Sequence, residues 1–217
     1  YRYPMRDQFH EELDGVGTTL VQMAGLVKVA MENATTALLT ADLAIAEKVI
    51  QEDSIIDEMQ HELDAKTMKL LATQQPVASD LRVLVTSLRM SADLERMGDM
   101  SHHVAKITRL RHPDAAIPAE LIASFKQMGE AAEKIARKTG SVIASRDTEV
   151  ALQVEKDDDE MDKLHRQLIG TLVDPNWKHG VESAIDLTLL GRYYERFADH
   201  AVSVSRRVYY LVTGKFA

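Results

Sequence analysis

Residues 93–104 read Asp93-Leu-Glu-Arg-Met-Gly-Asp-Met-Ser-His-His-Val104 (DLERMGDMSHHV), and residues 193–204 read YYERFADHAVSV. Both carry E-R-x-x-D: Glu95 and Arg96 with Asp99, then Glu195 and Arg196 with Asp199. In each, Val104 and Val204 follow at the same offset. Two acids four residues apart share one side of a helix, because 3.6 residues make a turn. The surrounding sequence is helical in period, so a pair of carboxylates recurs on two related helices.

Working outward, the repeat extends to a second motif. Asp53-Ser-Ile-Ile-Asp57 corresponds to Asp158-Asp-Glu-Met-Asp162, and Leu63 then falls on Leu168. The order of segments is the same in both halves. From about Asp7 to Leu39, Phe9, Leu13, Val16, Leu20, Met23, Val27, Ala30 and Ala34 recur in helical steps. A break at Thr40-Ala-Asp42 precedes a second helix to about Ala72, which Pro76 ends. A third is expected from near Pro76 to Leu110, packing through Val77, Leu81, Leu84, Leu88 and Ala92, with Glu95 in line. The proline-bearing RHPDAAIPAE at 111–120 reads as a linker. A fourth helix is expected over Pro118–Ser145, carrying Leu121, Phe125, Met128, Ala132, Ile135 and Val142. A fifth is expected over Thr148–Leu172 and a sixth over Val181–Leu211, with Gly214 as its stop.

The expected fold is therefore all-α: two repeated three-helix bundles in one elongated chain, residues 5–112 and 113–217. Tyr1-Arg2-Tyr3-Pro4 reads as an expression leftover ahead of Met5.

Composition narrows the function. A net charge of -8 and the lack of a basic run argue against nucleic-acid binding. With no cysteine, disulfides and thiolate metal sites are excluded. No apolar run is long enough for a membrane span and no signal peptide is read, so no membrane insertion is expected; the absence of cysteine fits a cytosolic protein. Walker, glycine-rich nucleotide-binding and nucleophile-elbow motifs are absent, and neither a catalytic residue nor an organic cofactor is expected.

That leaves the acids. Asp53, Asp57 and Asp64 lie on the side of helix two that carries Val49, Ile50 and Leu71, and each acidic pair falls on or beside a packing face. Like charges next to apolar neighbours repel, and unpaired buried charge is costly. Two readings offset the cost. A di- or trivalent cation on hard oxygen ligands (iron, manganese, magnesium, calcium or zinc) would quench the repulsion. Alternatively, Arg96, Arg196, Arg89 and Arg192 would neutralise the acids as ion pairs, leaving a metal-free scaffold. Glu58-Met-Gln-His61 is an E-x-x-H, the di-iron signature, but Glu160-Met-Asp-Lys163 does not repeat it. A ferritin-like, carboxylate-bridged metalloenzyme is thus the lesser alternative. His102 and His103 have Val202 and Ser203 as counterparts and read as surface or helix-end residues.

Two copies of a three-helix unit, with D-x-x-x-D on the middle helix and E-R-x-x-D on the third, resemble the PhoU family. LERMGD and YERFADHAVSV are the most specific pieces, and RDQFHEELD near the start resembles the actinobacterial branch. The resemblance implies a cytoplasmic negative regulator of phosphate uptake and of the phosphate-starvation response. It further implies a homodimer that links the ATPase component of a phosphate transporter to a membrane sensor histidine kinase. Metal binding through these motifs is implied as well. Carried onto this chain, the ligands are Asp53, Asp57, Glu95 and Asp99 in one half, and Asp158, Asp162, Glu195 and Asp199 in the other. The copies depart from each other at Met100 against His200, and at Asp93-Leu94 against Tyr193-Tyr194.

Overall fold

In a computed structural model, residues 4–215 are described, with side-chain surroundings from residue 8 onward. Of the expected leftover, Tyr1–Tyr3 lie outside the described residues, and Pro4 opens the first helix. The helices are α1 (Pro4–Thr40), α2 (Leu43–Gln74), α3 (Ser79–Arg111), α4 (Ile122–Ser145), α5 (Thr148–Leu172) and α6 (Gly180–Thr213). No strand occurs among the described residues.

Local chemistry sets the breaks. Asp42 caps α2 by accepting from the Ile45 N–H at 3.0 Å. Asp147 caps α5 through the N–H groups of Glu149 and Val150. Each side chain satisfies donors that the first helical turn leaves free. Gly214 ends α6 with φ of 72°, the left-handed conformation that glycine adopts without a steric penalty. Two starts differ from expectation. Beyond Pro76 the chain turns through Ala78, so α3 begins at Ser79; after Pro118, residues 119–121 form a 3₁₀ turn before α4.

The expected stripe on α3 is corrected by the structure. Val77, Leu81 and Ala92 are exposed, and of that row only Leu84 is fully buried. The face that packs is instead Leu84, Ser87, Ser91, Leu94, Met97, Gly98, Ser101, Val104, Ala105 and Thr108. Small and hydroxyl residues supply it because α3 touches α1, α2 and α6 at once. Its serines and threonines bond back to the helix, Ser87 to the Val83 carbonyl at 2.7 Å, so close packing leaves those hydroxyls partnered.

α1, α3, α4 and α6 form the centre of the molecule, with α1 against α4 and α3 against α6. α2 packs outside on α1 and α3, and α5 outside on α4 and α6. One continuous apolar core runs through both halves, and its largest enclosed side chains include Tyr194, Phe125 and Phe197. Each such side chain contributes about 1.5–3 kcal/mol when fully buried. The repeat shows in this core as register. Val49, Ile56 and Leu63 on α2 are buried as Val154, Met161 and Leu168 are on α5. Leu94, Met97 and Val104 on α3 match Tyr194, Phe197 and Val204 on α6.

Candidate metal centres

On α2, Ile56 is buried and is flanked in sequence by Asp53 and Asp57, which are half-buried at the edge of the packing face. α3 meets this point with Gly98. A Cβ there would stand 3.1 Å from Ile56 Cδ1 and 3.3 Å from Asp53 Oδ1, so the missing side chain lets the helices close and draws Asp53 inward. Gly98 lies between Glu95 and Asp99 in sequence, and the packing of α3 on α2 brings these acids within electrostatic reach of Asp53 and Asp57. Burial first, then the Asp57 and Asp99 carboxylates, pushes Asp53 up to about 6. Glu95 is raised as well, by burial and by Asp99, with Arg96 opposing and Asp57 and Asp53 adding to the rise.

The second half repeats the arrangement. Asp158 and Asp162 flank buried Met161 on α5, and Ala198 takes the place of Gly98 on α6. Asp158 is pushed up to about 7, by burial first and then by Asp162, Asp199, Asp159 and Glu195. Asp199, more exposed, is raised by burial, Glu195 and Asp162 against Arg192 and His200. The eight predicted residues thus sit as four acids on α2 and α3 and four on α5 and α6, each set linked by electrostatic influence.

Arginines offset part of this charge. Arg96 donates from Nη1 to Asp99 Oδ2 at 2.7 Å. In the other half the arginine that reaches Glu195 is Arg192, while Arg196, the counterpart of Arg96, is exposed. Asp57 Oδ1 and Asp158 Oδ1 remain buried without a hydrogen-bond partner. Such oxygens, in sites built only from hard donors, match the needs of a hard cation. Among the described residues no three His, Asp or Glu side chains stand as a finished ligand set.

Several neighbours fall outside the sequence-based expectation. His102 is not a surface histidine: its Nδ1 lies 2.9 Å from Asp53 Oδ2, and both side chains are mostly covered. Burial, helped by Lys106, holds His102 below the usual histidine range. The available signal was its spacing, three residues beyond Asp99. Asp64 does not join the group; it accepts from Ser91 at 2.9 Å and from Gln60 at 2.6 Å. Asp157, beside Asp158, is largely covered and pairs with Lys138 at 2.6 Å and Lys134 at 3.0 Å. Glu58 and His61 are both exposed, so the E-x-x-H does not face the bundle interior.

Comparison with known proteins follows the same duplication. The PhoU domain matches this chain twice, at residues 20–108 and 125–208. The phosphate-specific transport system accessory protein PhoU homolog 2 of Mycobacterium tuberculosis is 48% identical over 212 residues, covering 98% of this chain and 100% of that protein. Homolog 1 of Mycobacterium leprae is 47% identical, covering 98% of this chain and 96% of its own. Among solved structures, PhoU from Pseudomonas aeruginosa superimposes with a TM-score of 0.85 at 28% identity, covering 95% of this chain and 100% of that one. The PhoU structure from Streptococcus pneumoniae shares the fold, with a TM-score of 0.86 at 24% identity. With both halves matched and relatives aligned over nearly its full length, this chain belongs to the PhoU family.

Proposed function

We propose that this chain is a non-enzymatic accessory protein of phosphate-specific transport that restrains phosphate uptake and the phosphate-starvation response. The family match over both halves carries the reading, since the relatives' names assign them to that transport system. In this reading the protein is cytoplasmic, acts as a homodimer, and links a transporter ATPase component to a membrane sensor histidine kinase. No helix among the described residues is long and apolar enough to cross a membrane. Residues 5–112 and 113–217 serve as two related halves, one acidic centre in each.

Each centre holds a di- or trivalent cation such as iron, manganese, magnesium or zinc. Asp53, Asp57, Glu95 and Asp99 would hold one, and Asp158, Asp162, Glu195 and Asp199 the other. A bound cation supplies positive charge that quenches the repulsion and offers an attachment point for anionic partner groups. The chain's own residues orient the donors. Arg96 and Arg192 take one acid of each centre, and His102 Nδ1 lies 2.9 Å from Asp53 Oδ2 without a hydrogen bond between them. The orphaned oxygens of Asp57 and Asp158 support this reading.

The test has two separable arms. Deleting the gene should raise phosphate uptake and switch on starvation genes in phosphate-rich medium, and normal uptake after deletion would overturn the regulatory role. Elemental analysis of chelator-free protein should find metal that is lost in Glu95→Ala with Asp99→Ala and the matching Glu195→Ala with Asp199→Ala. Metal content unchanged in that variant would overturn the centres and leave the regulatory role standing.

A further inference from the structure

A concentration of positive charge on this acidic protein borders the second carboxylate centre, where Arg206 bonds Glu155 and feels the charge of Asp158. Between the first half of α3 and the second half of α6 is a cavity of about 490 Å³. Arg82, Arg89, Arg206 and Arg207 line it, together with Leu81, Val85 and Tyr210, and no acid is among its lining residues. Two of the arginines are already held: Arg206 by Glu155, and Arg207 by Asp93, whose Oδ2 accepts from Nε at 2.9 Å. Arg82 and Arg89 have no carboxylate partner among the described residues. Arg82 is steadied over the Tyr210 ring, 5.3 Å from its centre, which orients its guanidinium at the mouth. Ala78, beside the first turn of α3, also lines the cavity, and that turn lacks a side-chain cap. That first turn carries Asp80, so the positive charge of the recess comes from the arginines and not from the helix end.

The repeat shows that this charge is not a by-product of the fold. One hundred residues on, Glu182 stands for Arg82 and Leu189 for Arg89. There the chain closes on itself, with Arg111 bonded to Asp186 at 2.5 Å and to Glu182 at 2.6 Å. In the first copy the corresponding positions, Arg82 and Arg89, line a basic recess.

We propose that this recess binds a small organic phosphate, a phosphoryl or pyrophosphoryl group carried on a partly apolar body of nucleotide size. Guanidinium forks match phosphate oxygens bidentately, and several cations favour a multiply charged group. The volume suits a ligand of a few hundred Å³. Leu81 and Val85, which are 42% and 38% exposed, give the organic body an apolar wall that an inorganic anion would leave in water.

The test is calorimetric titration of the full chain in a chelator-containing buffer, which keeps the acidic centres metal-free. The probes are ADP, adenosine, inorganic phosphate and inorganic pyrophosphate. ADP should bind with a Kd on the order of 10 µM, and each of the other three at least about tenfold more weakly. Arg82→Gln with Arg89→Gln should lower ADP affinity by about tenfold or more, with an unchanged melting temperature, since both side chains are exposed. Leu81→Glu, also at an exposed site, provides a second variant that should weaken ADP without touching an arginine. Affinity should fall as salt rises. ADP binding no tighter than adenosine, or unaltered in the double arginine variant, overturns the proposal. Pyrophosphate binding as tightly as ADP overturns the assignment of an organic body.

Discussion

Asp93 of α3 and His200 of α6 lie 3.0 Å apart, Oδ1 to Nδ1, and each stands where the other copy has something different. Tyr193 replaces Asp93 in the second copy, and Met100 replaces His200 in the first. The departures are paired across the junction between halves. Arg207 completes the cluster on the other oxygen of Asp93 at 2.9 Å. At the opposite end Tyr193 stacks on His103, ring centres 5.1 Å apart. The duplicated unit has thus diverged where α3 meets α6, one end ionic and the other aromatic.

Removing Asp93 strands two partners. Asp93→Ala should destabilise the fold by about 2 kcal/mol, because a mostly covered guanidinium and imidazole lose their acceptor. His200→Ala should cost less, since Arg207 keeps Asp93 engaged. Urea melts of both variants check this, and equal stabilities for the two would contradict the shared-acceptor account.

Thr35 and Tyr194 share a hydrogen bond of 2.6 Å inside the core, between α1 and α6. Gly129 on α4 faces the same threonine: a Cβ there would come within 2.5 Å of Thr35 Cγ2. Gly129→Ala should therefore destabilise, although alanine favours a helix by about 1 kcal/mol. Adding Thr35→Ser, which removes the clashing methyl and keeps the hydroxyl, should recover most of the loss. A stabilising Gly129→Ala would show that Thr35 can move aside.

The acidic centres predict an unusual pH dependence for metal-free protein. Asp53 and Asp158 are raised from an ordinary 3.8 to about 6 and about 7. The folded state then binds more protons than the unfolded state between those limits, so stability declines as pH rises through that window and levels off above it. Added cation should oppose the decline, with the larger rise in melting temperature at pH 8 than at pH 5, because protons compete for the same oxygens. Thermal melts with and without metal at the two pH values measure this. A metal effect independent of pH would contradict it.

Neutralising one acid should separate stability from binding. Asp158→Asn keeps the shape and removes a charge that burial and Asp162 make costly. Metal-free stability at pH 8 should rise by on the order of 1 kcal/mol after solvent screening. The metal-dependent stabilisation of the second half should fall. A less stable metal-free variant would mean that Asp158 is satisfied as an anion.

The helices, their order and the two acidic motifs were readable in the chain because periodicity and spacing are local properties. The helix that periodicity predicts over Thr148–Leu172 has the limits of α5, and the expected row Leu121, Phe125, Met128, Ala132, Ile135 and Val142 is buried, Leu121 in the 3₁₀ turn and the rest on α4. Packing partners are not local, and periodicity does not reveal them. The row through Val77, Leu81 and Ala92 looked like a core face but lies exposed. Which side of α3 is covered depends on α1 and α6, distant in sequence, and its small residues carry no strong apolar signal. His102 on Asp53, and Asp93 on His200, likewise required the chain to fold back before either partner could be known. Spacing put two acids on each helix; the packing of α2 on α3 and of α5 on α6 set the four of each half against one another, since repulsion and burial depend on distances that only packed helices define.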